Sequence, residues 1–393
     1  MSNLNERKLR LGVAGLGRAF TVMLPTLAAD PRIALVAGAD TRAEARLRFV
    51  ADFAAKSYAT VEELCADPAV EAIYVATPHQ HHARHAVLAA ERGKHLLIEK
   101  PIALSLAECS TIIETAKRDG VQLVVGHSHS FDAPVARLRA LIESGAFGAV
   151  RMINAINYTD YLYRPRRPEE LDTAQGGGAV FNQAAHQVDI VRLIGGDHIT
   201  SVRAATGAWD AARPTEGAYA ALLTFANGAF ASLTYNGYGH FDSDEWQNWI
   251  GEMGQKKSPY AGPVRPRFTN TQEEAAFKNA RNYGGSDYRP LAGSSPAHQN
   301  FGTLLVSCER ADLRATPDGV IIYQNGTSRL DAVPRPSVPR AEVIDELYGA
   351  VVHGRTPLHD GYWAMATLEV LLGMLRSARE SRDVALTHQV GLR

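Results

Sequence analysis

Leu9-Arg-Leu-Gly-Val-Ala-Gly15-Leu-Gly17-Arg18 decides the fold. Leu9–Ala14 is a short apolar run of strand composition, and a turn on two glycines follows it at once. Where a strand turns on glycines into a helix, the backbone can approach a pyrophosphate, which rests on the N–H groups of the helix N-terminus. The helix is expected to run to about Ala29, kinked at Pro25. The full dinucleotide fingerprint carries a third glycine at position 20, where this chain has Phe20. Two glycines alone also suit an ordinary tight turn from strand to helix. Asp40 adds context: it closes a second apolar run, Ile33–Ala39, about 20 residues on, where an acid accepts the ribose hydroxyls. It is also placed to cap the helix that begins near Ala43. A carboxylate there repels a 2′-phosphate and favours NAD, while Arg42 leaves NADP open. Gly15, Gly17, Arg18 and Asp40 are the expected cofactor contacts of this region.

Outward from this stretch the chain alternates. Ala43–Ala54, His81–Glu91 and Leu106–Arg118 have helical composition, and they are interleaved with apolar runs at Ala72–Ala76, His95–Ile98 and Gln122–Gly126. Strands and helices at this spacing predict βαβ units and a parallel sheet covered by helices, an α/β Rossmann domain over residues 1–126. After about Ser130 the pattern changes. A helix is expected over Val135–Ser144, a half-buried strand over Val150–Tyr158, and further strands at Leu304–Cys308 and Val320–Gln324. Ala218–Tyr235 reads as two alternating runs about Asn227-Gly228, which predicts a tight type I′ hairpin. Residues 127–393 are therefore expected to form an α+β domain with a large, mostly antiparallel sheet, closed by helices at Arg340–Val352 and Tyr362–Glu380. Residues 251–300, rich in Gly, Pro, Ser and Asn, are expected to be irregular: a lid, an oligomer contact or disorder.

The chain has 393 residues, 46% apolar and 21% charged, with a formal net charge of −1. That balance offers no field for nucleic acid or an anionic membrane, and both are excluded as partners. Cys65, Cys109 and Cys308 lie far apart, which gives no zinc spacing or disulfide framework and suits a reducing, cytoplasmic compartment. The N-terminus lacks the features of a signal peptide, and no segment has the length of a membrane span. His79, His81, His82 and His85 crowd one loop and helix start, but no neighbouring Cys or acid completes a ligand set, so no metal is expected.

Three further segments carry a family resemblance. They are Thr77-Pro78-His79-Gln80-His81-His82 with Ala86, Ala89 and Gly93-Lys94-His95; Glu99-Lys100-Pro101; and Gly176-Gly177-Gly178 with Asn182, His186 and Asp189. Together with Ile142–Gly148 and the C-terminal helices, the chain resembles the glucose–fructose oxidoreductase / inositol dehydrogenase (Gfo/Idh/MocA) family over nearly its whole length. The resemblance implies an NAD(P)-dependent oxidoreductase acting on a small molecule, a homodimer or homotetramer built through the C-terminal sheet. It implies that Lys100 lies beside the nicotinamide and the substrate oxygen, with His186 facing it from the second domain. Thr77, Pro78 and His82 would line the cofactor and Glu99 would help position it. The chain departs from the family at Phe20, at Ala184 where Gly is frequent, and at Asn182 where Asp is frequent. Asn hydrogen-bonds but is no carboxylate base, so the acid–base duty falls on Lys100 and His186.

Taking hydride from a carbon that bears a hydroxyl requires the hydroxyl proton to leave too, and imidazole titrates where that is easiest. By themselves a lysine after a strand is ordinarily solvated and a histidine on a helix ordinarily a packing residue; the resemblance assigns Lys100 and His186. On the substrate side Tyr158, Tyr161 and Tyr163 precede Arg164-Pro165-Arg166-Arg167. Arginines pair with carboxylates and aromatic rings can flank a flat carbocycle, although such a run is equally a charged surface. Gly237–Trp246, polar and aromatic after a strand, is a second hint, and Arg164–Asp189, the hairpin ending Tyr238–Asp242 and Cys308–Leu313 together resemble the branch of dihydrodiol dehydrogenases that act on carboxylated cyclohexadiene diols such as phthalate dihydrodiol. A sugar or inositol dehydrogenase of the same family and a non-catalytic NAD(P)-binding regulator are the alternatives.

Overall fold

The computed structural model describes residues 7–126, 128–260, 268, 270–290, 297–335 and 337–392. The chain divides into two units. The first comprises Met1–His127, Ala275–Ser294 and Pro336–Met365; the second comprises Ser128–Glu274, Ser295–Arg335 and Ala366–Arg393.

The chain begins with β1 (Leu9–Ala14), α1 (Arg18–Ala29), β2 (Ile33–Ala39), α2 (Ala43–Phe53), β3 (Lys56–Tyr58), α3 (Val61–Ala66), β4 (Ala72–Val75), α4 (His82–Glu91), β5 (His95–Ile98), α5 (Leu106–Arg118) and β6 (Leu123–Val125). These strands form one sheet of order β3-β2-β1-β4-β5-β6, parallel throughout. Leu9, Leu11 and Val13 on one face of β1 and Ala14 on the other are fully buried, as expected of a central parallel strand covered on both faces. The order runs outward from β1 in one direction and from β4 in the other. The switch point thus lies between the C-terminal ends of β1 and β4, the place where open α/β sheets bind ligands. α1 runs without interruption through Pro25.

The chain continues with α6 (Ala133–Glu143), β7 (Val150–Tyr158), α7 (Ala185–Gly195), β8 (Ile199–Gly207), β9 (Ala218–Phe225), β10 (Phe230–Asn236), α8 (Thr271–Arg281), β11 (Thr303–Cys308), β12 (Asp312–Thr316), β13 (Gly319–Gln324), β14 (Thr327–Ala332), α9 (Ala341–His353), α10 (Gly361–Glu380) and β15 (Val384–Ala385). The second unit's nine-stranded sheet has the order β14-β13-β12-β11-β7-β10-β9-β8-β15. Its pairs are antiparallel except β7 with β10. α6 packs on β12 and β13, and α7 on β7 and β10. Leu222, Phe230 and Leu330 are exposed.

Two expectations change here. The β9–β10 turn is not type I′, because Asn227 keeps a negative φ and only Gly228 (φ +84°) is left-handed. Gly228 N–H donates to Phe225 O at 3.1 Å and Phe225 N–H to Ala229 O at 2.9 Å, which is a type I turn closed by a glycine bulge. Residues 251–300 are not irregular throughout, because α8 lies within them. Parts of that segment, 261–267, 269 and 291–296, fall outside the described residues.

Candidate active site

The candidate cofactor-binding residues gather at the C-terminal edge of the first unit's sheet. Gly15 adopts φ +94°, and a Cβ there would lie 2.7 Å from Ala76 O, so the close passage of β1's end past β4's end requires glycine. Gly17 is the N-cap of α1, supplies no side-chain cap, and has open space where a Cβ would project. The first-turn N–H groups of α1 can therefore receive an anion such as a pyrophosphate. Asp40 accepts the Leu16 N–H at 2.8 Å and the Arg42 N–H at 2.8 Å, and it pairs with the Arg42 guanidinium at 3.1 Å. It thus ties the glycine turn to the end of β2. Arg18 is the first residue of α1.

His82 joins two of the sequence motifs. Its ring is fully buried, with Nδ1 2.9 Å from Pro101 O and Nε2 2.8 Å from Thr77 O. It clamps the loops after β4 and β5, holding Thr77, Pro78 and Lys100 at one edge of the sheet. Burial lowers its pKa against the opposing pull of the two carbonyls. Thr77 Oγ1 lies 3.0 Å from His85 Nδ1. Burial, then the charges of His81 and Arg84, lower His85 to about 4. Glu99 accepts a short hydrogen bond from the buried Tyr74 hydroxyl. Among the described residues no group of three His, Cys, Asp or Glu side chains is placed to hold a metal ion.

In the second unit, His186 lies in the first turn of α7 and is 6% exposed. A π-helical turn, Val180–Ala184, leads into α7 and carries Asn182. The Asn182 amide donates to Gly176 O at 3.1 Å and Gly178 O at 2.9 Å, so it fastens the glycine loop rather than supplying charge. Against His186 lie two rings that the sequence did not single out. His129 meets it edge-on at 4.8 Å between centroids, and Phe301 stands 4.8 Å away. His129 Nδ1 is 2.6 Å from Asp132 Oδ2 and its Nε2 is 3.6 Å from Glu252 Oε1. Burial alone would lower His129, but Asp132 and then Glu252 outweigh it and raise the ring to about 9, so it is an imidazolium at neutral pH.

The three arginines separate. Arg164 pairs with Asp160 at 2.9 Å and approaches Glu252 at 3.8 Å, which joins it to the His129–His186 cluster with its side chain 42% exposed. Arg166 lies 3.8 Å over the Tyr161 ring, and its N–H donates to Glu274 at 2.7 Å. Arg167 pairs with Glu169 at 3.0 Å and with Glu170 at 3.5 Å. Tyr158 packs on Phe241, with ring centroids 5.8 Å apart, and its N–H donates to Ser243. Asp189, one turn beyond His186, accepts from Ser130 and from Thr367.

His129, Asp132, Glu252 and Phe301 went unnoticed because they come from separate parts of the chain. Only the i, i+3 spacing of His129 and Asp132 was visible locally.

Residues 9–127 match a family model described as an oxidoreductase family, NAD-binding Rossmann fold, and residues 135–255 match the GFO/IDH/MocA C-terminal domain. The chain is 46% identical over 377 residues to 1-carboxy-3-chloro-3,4-dihydroxycyclohexa-1,5-diene dehydrogenase of Comamonas testosteroni, spanning 94% of this chain and 95% of that protein. It is 31% identical to myo-inositol 2-dehydrogenase of Thermotoga maritima over 197 residues, 49% of this chain and 57% of that protein. A crystal structure from Bordetella bronchiseptica RB50 superposes with a TM-score of 0.89 at 42% identity, covering 96% of this chain and 100% of the other. With both of its domains matched and nearly its full length shared with a dehydrogenase, the chain belongs to the GFO/IDH/MocA family of NAD-binding oxidoreductases.

Proposed function

We propose that this protein is an NAD-dependent dehydrogenase that oxidises a carboxylated dihydroxycyclohexadiene to a catechol. The observation that carries the reading is the near-full-length likeness to the Comamonas dehydrogenase, which is named for a ring of that class. The second unit's half-site suits such a ring. It offers an accessible arginine, Arg164, to receive a carboxylate, joined through Glu252 to the cluster of His129, His186 and Phe301.

Gly15, Gly17, Arg18, Asp40, Thr77, Pro78, His82, Glu99 and Lys100 would hold the dinucleotide. Bound NAD supplies the hydride acceptor. His186 accepts the hydroxyl proton as the carbinol C–H gives up its hydride. Lys100 stabilises the developing oxygen charge as a cation. The ketone so formed enolises by moving the remaining carbinol hydrogen to oxygen, and the ring becomes aromatic. The balance is one diol and one NAD giving one catechol, one NADH and one proton. Asn182 acts by holding the Gly176–Gly178 loop.

We place the protein in the cytoplasm, where Cys65, Cys109 and Cys308, all free, stay reduced. We assign a homo-oligomeric contact to the outer face of the second unit's sheet, on the exposed Leu222 and Phe230.

Lys100→Ala and His186→Ala should each lower kcat by about 100-fold or more, the usual worth of positioned proton transfer, while equilibrium dialysis still detects NAD binding. Near-normal turnover in either variant removes that residue from the mechanism.

A further inference from the structure

Arg42 stands two residues beyond Asp40, where an arginine would be expected to receive a 2′-phosphate. Its donors are already committed. Nε bonds Asp40 Oδ1 at 3.1 Å, Nη2 bonds Asp40 Oδ2 at 3.2 Å and Leu16 O at 2.9 Å, and Nη1 bonds Tyr283 O at 3.2 Å. Its side chain is 18% exposed. The last of these partners comes from the segment 275–294, far along the chain but in the same unit.

That segment is firmly seated. The Tyr283 side chain is fully buried, its ring meets Phe20 edge-on at 5.1 Å and Tyr288 at 5.3 Å, and its hydroxyl donates to Asp52 of α2 at 2.7 Å. Gly284 follows at φ +79°, where a Cβ would come within 2.6 Å of Ala45 Cα, so the backbone lies directly on the first turn of α2. Phe20, which departs from the small residue of the fingerprint, provides the surface on which Tyr283 rests.

We infer that Tyr283 and Gly284 form a latch that holds the Nε–Nη2 edge of Arg42 against the Asp40 carboxylate, away from any 2′-phosphate, and that this latch is what keeps the enzyme on NAD. The inference rests on Asp40 receiving the ribose. With the latch closed, the site presents Asp40 and Arg42 as an ion pair whose charges offset each other. With it open, Arg42 can turn to a phosphate, with which a guanidinium makes strong paired hydrogen bonds.

The test is the dissociation constant of NAD and of NADP, by equilibrium dialysis, for the wild type, Tyr283→Ala, Arg42→Ala and the double variant, with a thermal melt to check folding. The wild type should bind NAD more tightly. Tyr283→Ala should tighten NADP by about tenfold, equivalent to roughly 1.4 kcal/mol, with NAD changed much less. Arg42→Ala should cancel that gain, costing NADP far more in the Tyr283→Ala background than alone. Should Tyr283→Ala not fold, Tyr283→Phe, which keeps the ring and loses the Asp52 bond, decides by the same shift at about threefold. An unchanged NADP-to-NAD ratio in the folded variant overturns the latch. A wild type that prefers NADP instead overturns the role of Asp40, on which the latch depends.

Discussion

Arg164 keeps 42% of its side chain accessible, while Arg166 keeps 10% and is spent on the Tyr161 ring and Glu170. Of the three sequence neighbours, Arg164 is the most exposed, ahead of Arg167 at 31%, and it alone approaches Glu252 beside His129. Arg164→Ala should therefore lower kcat/KM on a carboxylated ring diol by about tenfold or more, short of the cost of a fully buried pair because the group is partly solvated. On the same ring without the carboxylate the loss should be small; equal losses on both substrates would return Arg164 to a structural role. His129 carries a second prediction. Its pKa is raised from the ordinary value near 6.5 to about 9, so its charge stabilises the fold fully below about pH 6.5 and that contribution is lost as pH rises through about 9. Urea unfolding between pH 6 and 10 should show the wild type losing stability relative to His129→Gln. Parallel curves would mean that His129 is not the buried cation. Lys100 and His186 are picked out by the sequence because they sit in motifs. His129 and Glu252 are not, because their chemistry exists only where α7, the loop before α6 and residues 248–260 meet.

At the scale of elements, periodicity located every central strand of the first unit, since each is an apolar run bounded by a turn and a helix. It missed β3 and α3. β3 has three residues at the sheet edge, and α3 is a six-residue helix fixed by the Thr60–Glu63 capping box rather than by an apolar stripe. β8 and β14 were missed as well. β14 is exposed along almost its whole length, so it has no alternation to read. The Asn227-Gly228 turn was placed correctly and typed wrongly, because the dipeptide suits both a two-residue turn and a type I turn with a bulge; the pairing of Phe225 with Ala229 decides between them. The Phe20 departure also became intelligible only here, with Phe49 at 6.0 Å and Tyr283 at 5.1 Å filling the space around it.

At the scale of the molecule, the two-part organisation and the mostly antiparallel second sheet were readable, whereas the return of 275–294 and 336–365 to the first unit was not. No local signal marks a helix as belonging to a core some hundreds of residues earlier; α9 is placed by contacts such as Tyr348 hydroxyl to Arg7 O at 2.6 Å. Family membership leaves the substrate open, since one fold serves many chemistries. The decisive measurement is the steady-state kcat/KM of the purified protein with NAD on three substrates: a carboxylated cyclohexadiene cis-diol, the same diol without the carboxylate, and myo-inositol. The account predicts equimolar NADH and catechol from the carboxylated diol, with kcat/KM at least about tenfold above the other two, the scale of one carboxylate–arginine pair. Faster oxidation of myo-inositol, or no turnover of the carboxylated diol by protein that binds NAD, would contradict it.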